Sequence, residues 1–156
     1  MTTPPFLEST LDRRNEVARV SIVVPAAAKD IFDLLASPAG HAIIDGSGSV
    51  KAPQSGAPER LALGTKFGMD MKIGVPYKIT NEVVEFEDNA RIAWRHFGGH
   101  IWRYILEPQA DGSTKVTEEF DWKKNKSKLM LALIGAFNRN RKSMEKTLLR
   151  LRDHFA

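Results

Sequence analysis

Residues 91–107 read RIAWRHFGGHIWRYILE, and this stretch decides the architecture. On either side of Gly98-Gly99 the side chains alternate with a period of two, so that Ile92, Trp94 and His96 share one face. That is the pattern of two half-buried strands, Arg91 to Phe97 and Ile101 to Glu107, joined by a two-glycine hairpin turn. So short a connection joins antiparallel neighbours only, because parallel strands need a crossover of about a dozen residues or more.

The same grammar extends outward. Upstream, Phe67, Met69, Met71 and Ile73 alternate with Lys66, Gly68, Asp70 and Lys72, Gly74-Val75-Pro76 turns the chain, and Tyr77 to Phe86 forms a longer strand ended by Glu87-Asp88-Asn89. Downstream, Asp111-Gly112 makes the turn into a strand from Thr114 to Trp122. Nearer the start, Ala18, Val20, Ile22 and Val24 mark a strand over Glu16 to Val24. Two short helices follow, one between Pro25 and Ser37-Pro38 and one from Pro38 to Ile44, before Asp45-Gly46-Ser47-Gly48 breaks regular structure ahead of a strand near Ser49 to Ala52. Pro53 to Ala62 reads as a loop. At the C-terminal end Leu129, Leu133, Phe137, Met144, Leu148, Leu151 and Phe155 recur at helical spacing, predicting one long helix from near Ser127, with Gly135 inside it.

Strands joined by hairpins, followed by one terminal helix, exclude a doubly wound sheet. The expected fold is α+β: about seven antiparallel strands in a curved sheet wrapped around the long C-terminal helix, with two short helices after strand one and an apolar cavity between the layers. Residues 1–15 are expected to form an N-terminal arm and 16–156 a single domain. The chain has 156 residues and no cysteine, which excludes disulfides, a thiolate nucleophile and cysteine metal sites. No apolar run reaches membrane-span length, and a cytoplasmic location is the expectation. No phosphate loop or GxSxG elbow is present. The net charge of +4 is uneven: Lys123 to Arg152 holds ten Lys or Arg against Glu145 alone.

The opening strand into Val24-Pro25-Ala26, the Ile31-Phe32-Asp33-Leu34-Leu35 helix, the Ala90 to Trp94 strand, Trp102 to Pro108, and Gly112 to Glu118 ahead of the last helix resemble the START and Bet v 1-like (SRPBCC) superfamily, in its bacterial polyketide cyclase/dehydrase-like branch. The resemblance covers nearly all the chain after Asn15 and implies a helix-grip fold around a ligand cavity. Its members include lipid carriers, hormone receptors and aromatic polyketide cyclases, so it leaves the reaction open. Where many relatives carry a tryptophan after the first helices, this chain has His41-Ala42-Ile43-Ile44-Asp45.

The candidate catalytic groups are His96, Tyr104 and Glu118. His96 has the parity of Trp94, which turns its imidazole toward the cavity as a hydrogen-bond donor or general acid-base; the competing reading is a core histidine with a satisfied partner. Glu118 has the parity of Val116, Phe120 and Trp122, which buries a carboxylate that then needs Arg95, Arg103, Tyr104 or Arg141 as partner. The competing reading is an exposed glutamate after a register slip at a bulge. Phe67, Met69, Met71, Trp94, Trp102 and Phe137, with Arg141, are the candidate ligand-binding residues; the same apolar side chains would equally fill a core. His100 is expected to be exposed, and His154 to sit at a helix end. His41 and Asp45 are too few for a metal site, and neither metal nor cofactor is expected.

Three functions follow as expectations. The first is binding of a small hydrophobic molecule such as a lipid, fatty acid or polyketide. The second is a cyclase, dehydratase or aromatase using His96, Tyr104 and Glu118. The third is docking on an acidic protein or a membrane through the basic face of the last helix, at Arg139, Lys142 and Lys146. No nucleic-acid partner is expected, and the chain is expected as a monomer or homodimer.

Overall fold

A computed structural model describes residues 7–47, 50–53 and 58–156. The first six residues of the expected arm, Gly48 of the expected break, Ser49 at the start of the expected strand and residues 54–57 of the expected loop lie outside the described residues. The strands are β1 (Glu8–Asp12), β2 (Val17–Val24), β3 (Val50–Pro53), β4 (Lys66–Ile73), β5 (Val75–Glu87), β6 (Arg91–His96), β7 (Ile101–Pro108) and β8 (Thr114–Asp121). The helices are α1 (Ala28–Leu35), α2 (Pro38–Ile44), α3 (Lys128–Leu133) and α4 (Ala136–Phe155).

All eight strands form one antiparallel sheet in the order β1-β2-β8-β7-β6-β5-β4-β3. From β5 to β8 each strand lies beside the one it follows, as short turns dictate. The order breaks after β2, which is followed in the sheet not by β3 but by β8, paired along its whole length from Val17 opposite Asp121 to Val24 opposite Thr114. The chain then crosses through α1 and α2 to the far edge.

One strand more than expected is present, because part of the segment read as an arm pairs with β2. Glu8–Asp12 is ESTLD, whose single apolar residue gives periodicity nothing to register. Leu7 and Leu11 anchor it to the core.

On the inner face Ala18, Val20, Ile22 and Val24 of β2 are all but sealed from solvent, as are Val116 and Phe120 of β8 and Ile92 of β6. Against them pack Met144, Leu148 and Leu151 of α4, each contributing roughly 1.5–3 kcal/mol by burial. The outer face carries an ion-pair network that ties five strands: Glu119 receives Arg19 at 2.6 Å and Arg103 at 3.0 Å, and Arg103 also grips Glu85 at 2.7 Å, which in turn holds Arg91 at 3.0 Å. These partners lie on β2, β8, β7, β5 and β6, so the network clamps the register across the middle of the sheet.

The single long helix expected from Ser127 is two helices. Gly135 takes a left-handed φ of 67° between α3 and α4, which breaks the helical path that its spacing alone suggested. Phe137 onward follows the expected stripe, but no residue of α3 is buried. Glycine has a second use at Gly46, whose amide donates to Thr147 Oγ1 at 2.9 Å and whose Cα lies so close to the α4 backbone that a side chain would collide with it. Replacing Gly135 by alanine meets open space and carries only the left-handed penalty, so the expected loss is about 1 kcal/mol. Gly46→Ala, which has nowhere to put its methyl group, should lose more. Urea unfolding midpoints of the two variants check both the losses and their order.

Candidate functional site

Between the sheet and α3–α4 lies a cavity of about 840 Å³, within the range of pockets that hold small organic molecules. Its floor and walls are Met69 and Met71 of β4, Ile79 and Asn81 of β5, Trp94 of β6, Trp102 and Tyr104 of β7, and Glu118 of β8. The helices add Met130, Leu131 and Ile134 from α3 and its exit, and Arg139, Asn140, Ser143, Met144 and Thr147 from α4. Trp94, Tyr104 and Glu118 are buried, whereas Tyr77, Phe97, Met130 and Ile134, which line the same space, are exposed. The first group therefore marks the closed end and the second the mouth.

At the closed end Tyr104 and Glu118 face each other across β7 and β8, and the Tyr104 hydroxyl donates to Glu118 Oε1 at 2.9 Å. Glu118 Oε2 is buried without any hydrogen-bond partner. Burial pushes the Glu118 carboxyl up to about 8; the Tyr104 hydrogen bond opposes that rise and the nearby Asp45 carboxylate reinforces it. Burial and the same carboxyl hold the Tyr104 hydroxyl well above its ordinary value of 10.0. At neutral pH the pair is thus a phenol and a carboxylic acid, both protonated. With Oε1 accepting from tyrosine, Oε2 is the carboxyl oxygen left without a partner on a residue that lines the cavity. The Asn81 side-chain oxygen, also on the cavity wall, is a second buried acceptor without a partner.

The three histidines around the space are neutral. His41 stacks on Trp94 at 4.6 Å between ring centres, its Nε2 lies 2.8 Å from the Leu35 carbonyl, and burial lowers its pKa to about 4 against a smaller upward pull from that hydrogen bond. His96 and His100 stack on each other at 4.4 Å. Burial lowers both, taking His100 to about 3 with help from the adjacent His96. His96 Nδ1 accepts from the Gly98 amide at 3.1 Å, so its proton sits on Nε2. His100 Nδ1 lies 3.0 Å from the Asn125 amide nitrogen.

Of the residues singled out from the sequence, His96, Tyr104, Glu118, Met69, Met71, Trp94 and Trp102 line the cavity. His96 is not beside the Tyr104–Glu118 pair: it lies four residues along β6 from Ile92, the partner of Tyr104, or roughly 13 Å at ~3.3 Å per residue. Phe67 sits behind the wall, edge-on to Trp94 and His41. Phe137 stacks on Trp122 at 4.3 Å, with Arg13 over its ring. Arg141 turns to Ser9 and Asn138. None of these three lines the cavity: Phe67 of β4 is covered by Trp94 and His41, and Phe137 and Arg141 are turned away because α4 enters at Gly135 along a different line from a helix continuous with α3. His100, expected to be exposed, is partly buried on the cavity wall. His41 and Asp45, weighed from the sequence only as too few for a metal site, both line the cavity. Asp45 is held in an Asx turn by the Ser47 amide and hydroxyl, with Val50 donating to its other oxygen, a geometry that Asp45-Gly46-Ser47 foreshadows. Among the described residues, no three His, Cys, Asp or Glu side chains converge as a metal site would require.

No family model matches the sequence. The chain is 36% identical over 142 residues to the uncharacterized protein Rv0088 of Mycobacterium tuberculosis, a match that takes in 87% of this chain and 62% of that protein. The chain thus spans less than two thirds of the curated relative. Among solved structures, a protein from Arthrobacter aurescens superposes with a TM-score of 0.73 at 14% identity, covering 94% of this chain and 91% of its own. The polyketide-cyclase-like protein Cgl2372 of Corynebacterium glutamicum gives 0.59 at 18% identity, covering 90% and 91%.

The carboxyl makes a pH prediction with a definite sign. Unfolded, Glu118 releases its proton near its ordinary value of 4.5; folded, it keeps it to about 8. Its contribution to stability is therefore fully present below about pH 4.5 and is lost as pH rises through about 8. His41 and His100 act in the opposite sense, withdrawing stability as pH falls below 6.5. Glu118→Gln, which keeps an acceptor for Tyr104, should abolish the alkaline decline and leave the acid limb unchanged. Parallel denaturation profiles of the two proteins across this range would reject the assignment.

Proposed function

We propose that this chain, which has the helix-grip fold of the START and Bet v 1-like superfamily, binds a hydrophobic molecule of lipid, fatty-acid or polyketide kind that carries a hydrogen-bond acceptor. The observation behind the reading is the orphaned Glu118 Oε2 at the closed end of a cavity whose apolar lining includes Met69, Met71, Ile79, Trp94 and Trp102. A buried donor left without a partner costs roughly 1–3 kcal/mol, so a ligand oxygen that reaches it recovers that loss, whereas a hydrocarbon does not. The Trp94 and Trp102 faces suit a planar or chain-like guest, and the methionines adapt to its outline.

The same pair supports a second reading, an enzyme of cyclase, dehydratase or aromatase type. A neutral carboxylic acid hydrogen-bonded to a tyrosine, in a site shielded from water, polarises a carbonyl and stabilises negative charge developing on its oxygen. The acid-base work then belongs to Tyr104 and Glu118, with His96 near the mouth left to position the substrate.

Native mass spectrometry of freshly purified protein, followed by organic extraction, tests the first reading directly; an oxygenated apolar molecule is expected to travel with the chain. In titrations with a fluorescent fatty acid, Met71→Trp should abolish binding by filling the space. Glu118→Leu should weaken oxygenated ligands about tenfold and leave a hydrocarbon of equal length unchanged. If no apolar probe enters the wild-type cavity, the binding reading fails. If Glu118→Gln binds an identified substrate normally but no longer turns it over, the enzyme reading replaces the carrier.

A further inference from the structure

Six large apolar side chains stand exposed on three segments that frame the cavity, Leu129, Met130, Leu133 and Ile134 in and after α3, Val75 at the β4–β5 hairpin, and Phe97 at the β6–β7 hairpin; Met130, Ile134 and Phe97 line the cavity itself. Leu129 and Leu133 are 72% and 73% exposed, on a helix none of whose residues is buried. Soluble proteins seldom leave so much apolar surface unpartnered in one place. Cations surround it. Residues 123–144 hold seven Lys or Arg and no Asp or Glu, and Lys72 and Arg139 line the mouth itself. Beside the mouth, sharing Asn81, His96 and Phe97 with it, lies a second depression of about 550 Å³ lined by Lys66, Arg95, Lys124 and Lys126, with Glu82 paired to Arg95 at 3.1 Å. Two of the nearby cations are already engaged, Lys123 with Asp121 and Lys128 with Glu16.

We infer that this rim docks on the surface of an anionic lipid bilayer, α3 and the two hairpin tips entering the acyl boundary while the lysines of the adjoining depression meet lipid phosphates. Charge complementarity selects the partner: apolar residues from three chain segments ringed by cations match an interface that is apolar within and negative at its edge. A six-residue helix is far too short to span a bilayer, so the contact is interfacial. A flat acidic protein would satisfy the lysines but would leave the protruding α3 side chains without a dry destination. The docked rim surrounds the cavity mouth, so a ligand passes between membrane and cavity without crossing water. This last point rests on the proposed binding function; the docking itself does not.

The test is co-sedimentation of the whole chain with vesicles of phosphatidylcholine alone or mixed with phosphatidylglycerol. Binding is expected to the mixed vesicles only and to weaken with added salt. Leu129→Asp with Leu133→Asp, at positions that do not line the cavity, should reduce partitioning about tenfold, as should Lys124→Glu with Lys126→Glu. Urea unfolding midpoints of the same variants report that they are folded, and fluorescent fatty-acid binding separates a failure of docking from a failure of the cavity reading. Absence of binding to mixed vesicles, equal binding to both kinds, or full binding by either folded variant overturns the proposal. So does capture of an acidic protein by a chain that ignores vesicles.

Discussion

A wide sheet has one narrow helix to cover it, and the rest of the structure follows from that mismatch. Eight strands at ~4.8 Å spacing make a surface about 34 Å across, while a helix with its side chains is about 10 Å thick. A flat sheet would leave most of its inner face in water. Curving brings β2 and β8 onto α4, where Val20, Ile22, Phe120 and Leu148 close-pack, and lifts β4 to β7 around a space that α4 cannot fill. The cavity is therefore a consequence of topology, and only its lining is left to the sequence.

Two successive glutamates on β8 show how that lining differs from the outside. Glu119 points to the outer face, accepts from Arg19 and Arg103, and belongs to a chain of opposite charges. Glu118 points inward, finds only a tyrosine hydroxyl and a second carboxylate, that of Asp45, and answers its desolvation by keeping its proton. The same side chain is a structural ion on one face of the strand and a neutral donor on the other. The difference is set by the company that period-two alternation gives each residue.

That alternation explains what could be read in advance. Parity along RIAWRH, IWRYILE and TKVTEEFD turned Trp94, Tyr104 and Glu118 inward, and short turns between them forced the meander. Tyr104 stood among the four partners named for Glu118, with Arg95, Arg103 and Arg141, and the pairing of β7 with β8 selects it. Three things escaped. Edge strand β1 has too little apolar content to announce itself. The α3–α4 break depends on one backbone angle at Gly135, which a helical spacing of Leu129, Leu133 and Phe137 conceals. His41 and Asp45 reach the cavity through the packing of α2 against β3 and α4, a tertiary relation with no local signature.

The pairing of β2 with β8 has a consequence for how the molecule is made. Arg19 and Glu119, partners at the centre of the sheet, are separated by a hundred positions in the chain. Strand β2 waits without its central neighbour until β3 to β7 have been synthesised, and the helix that seals both comes later still. Hairpins from β4 to β7 can close as they emerge, but they enclose nothing on their own. Folding is therefore an event of the completed domain, closed late by its most distant contacts. During that interval Ala18, Val20, Ile22 and Val24, the inward face of β2, have neither strand β8 beside them nor helix α4 above them.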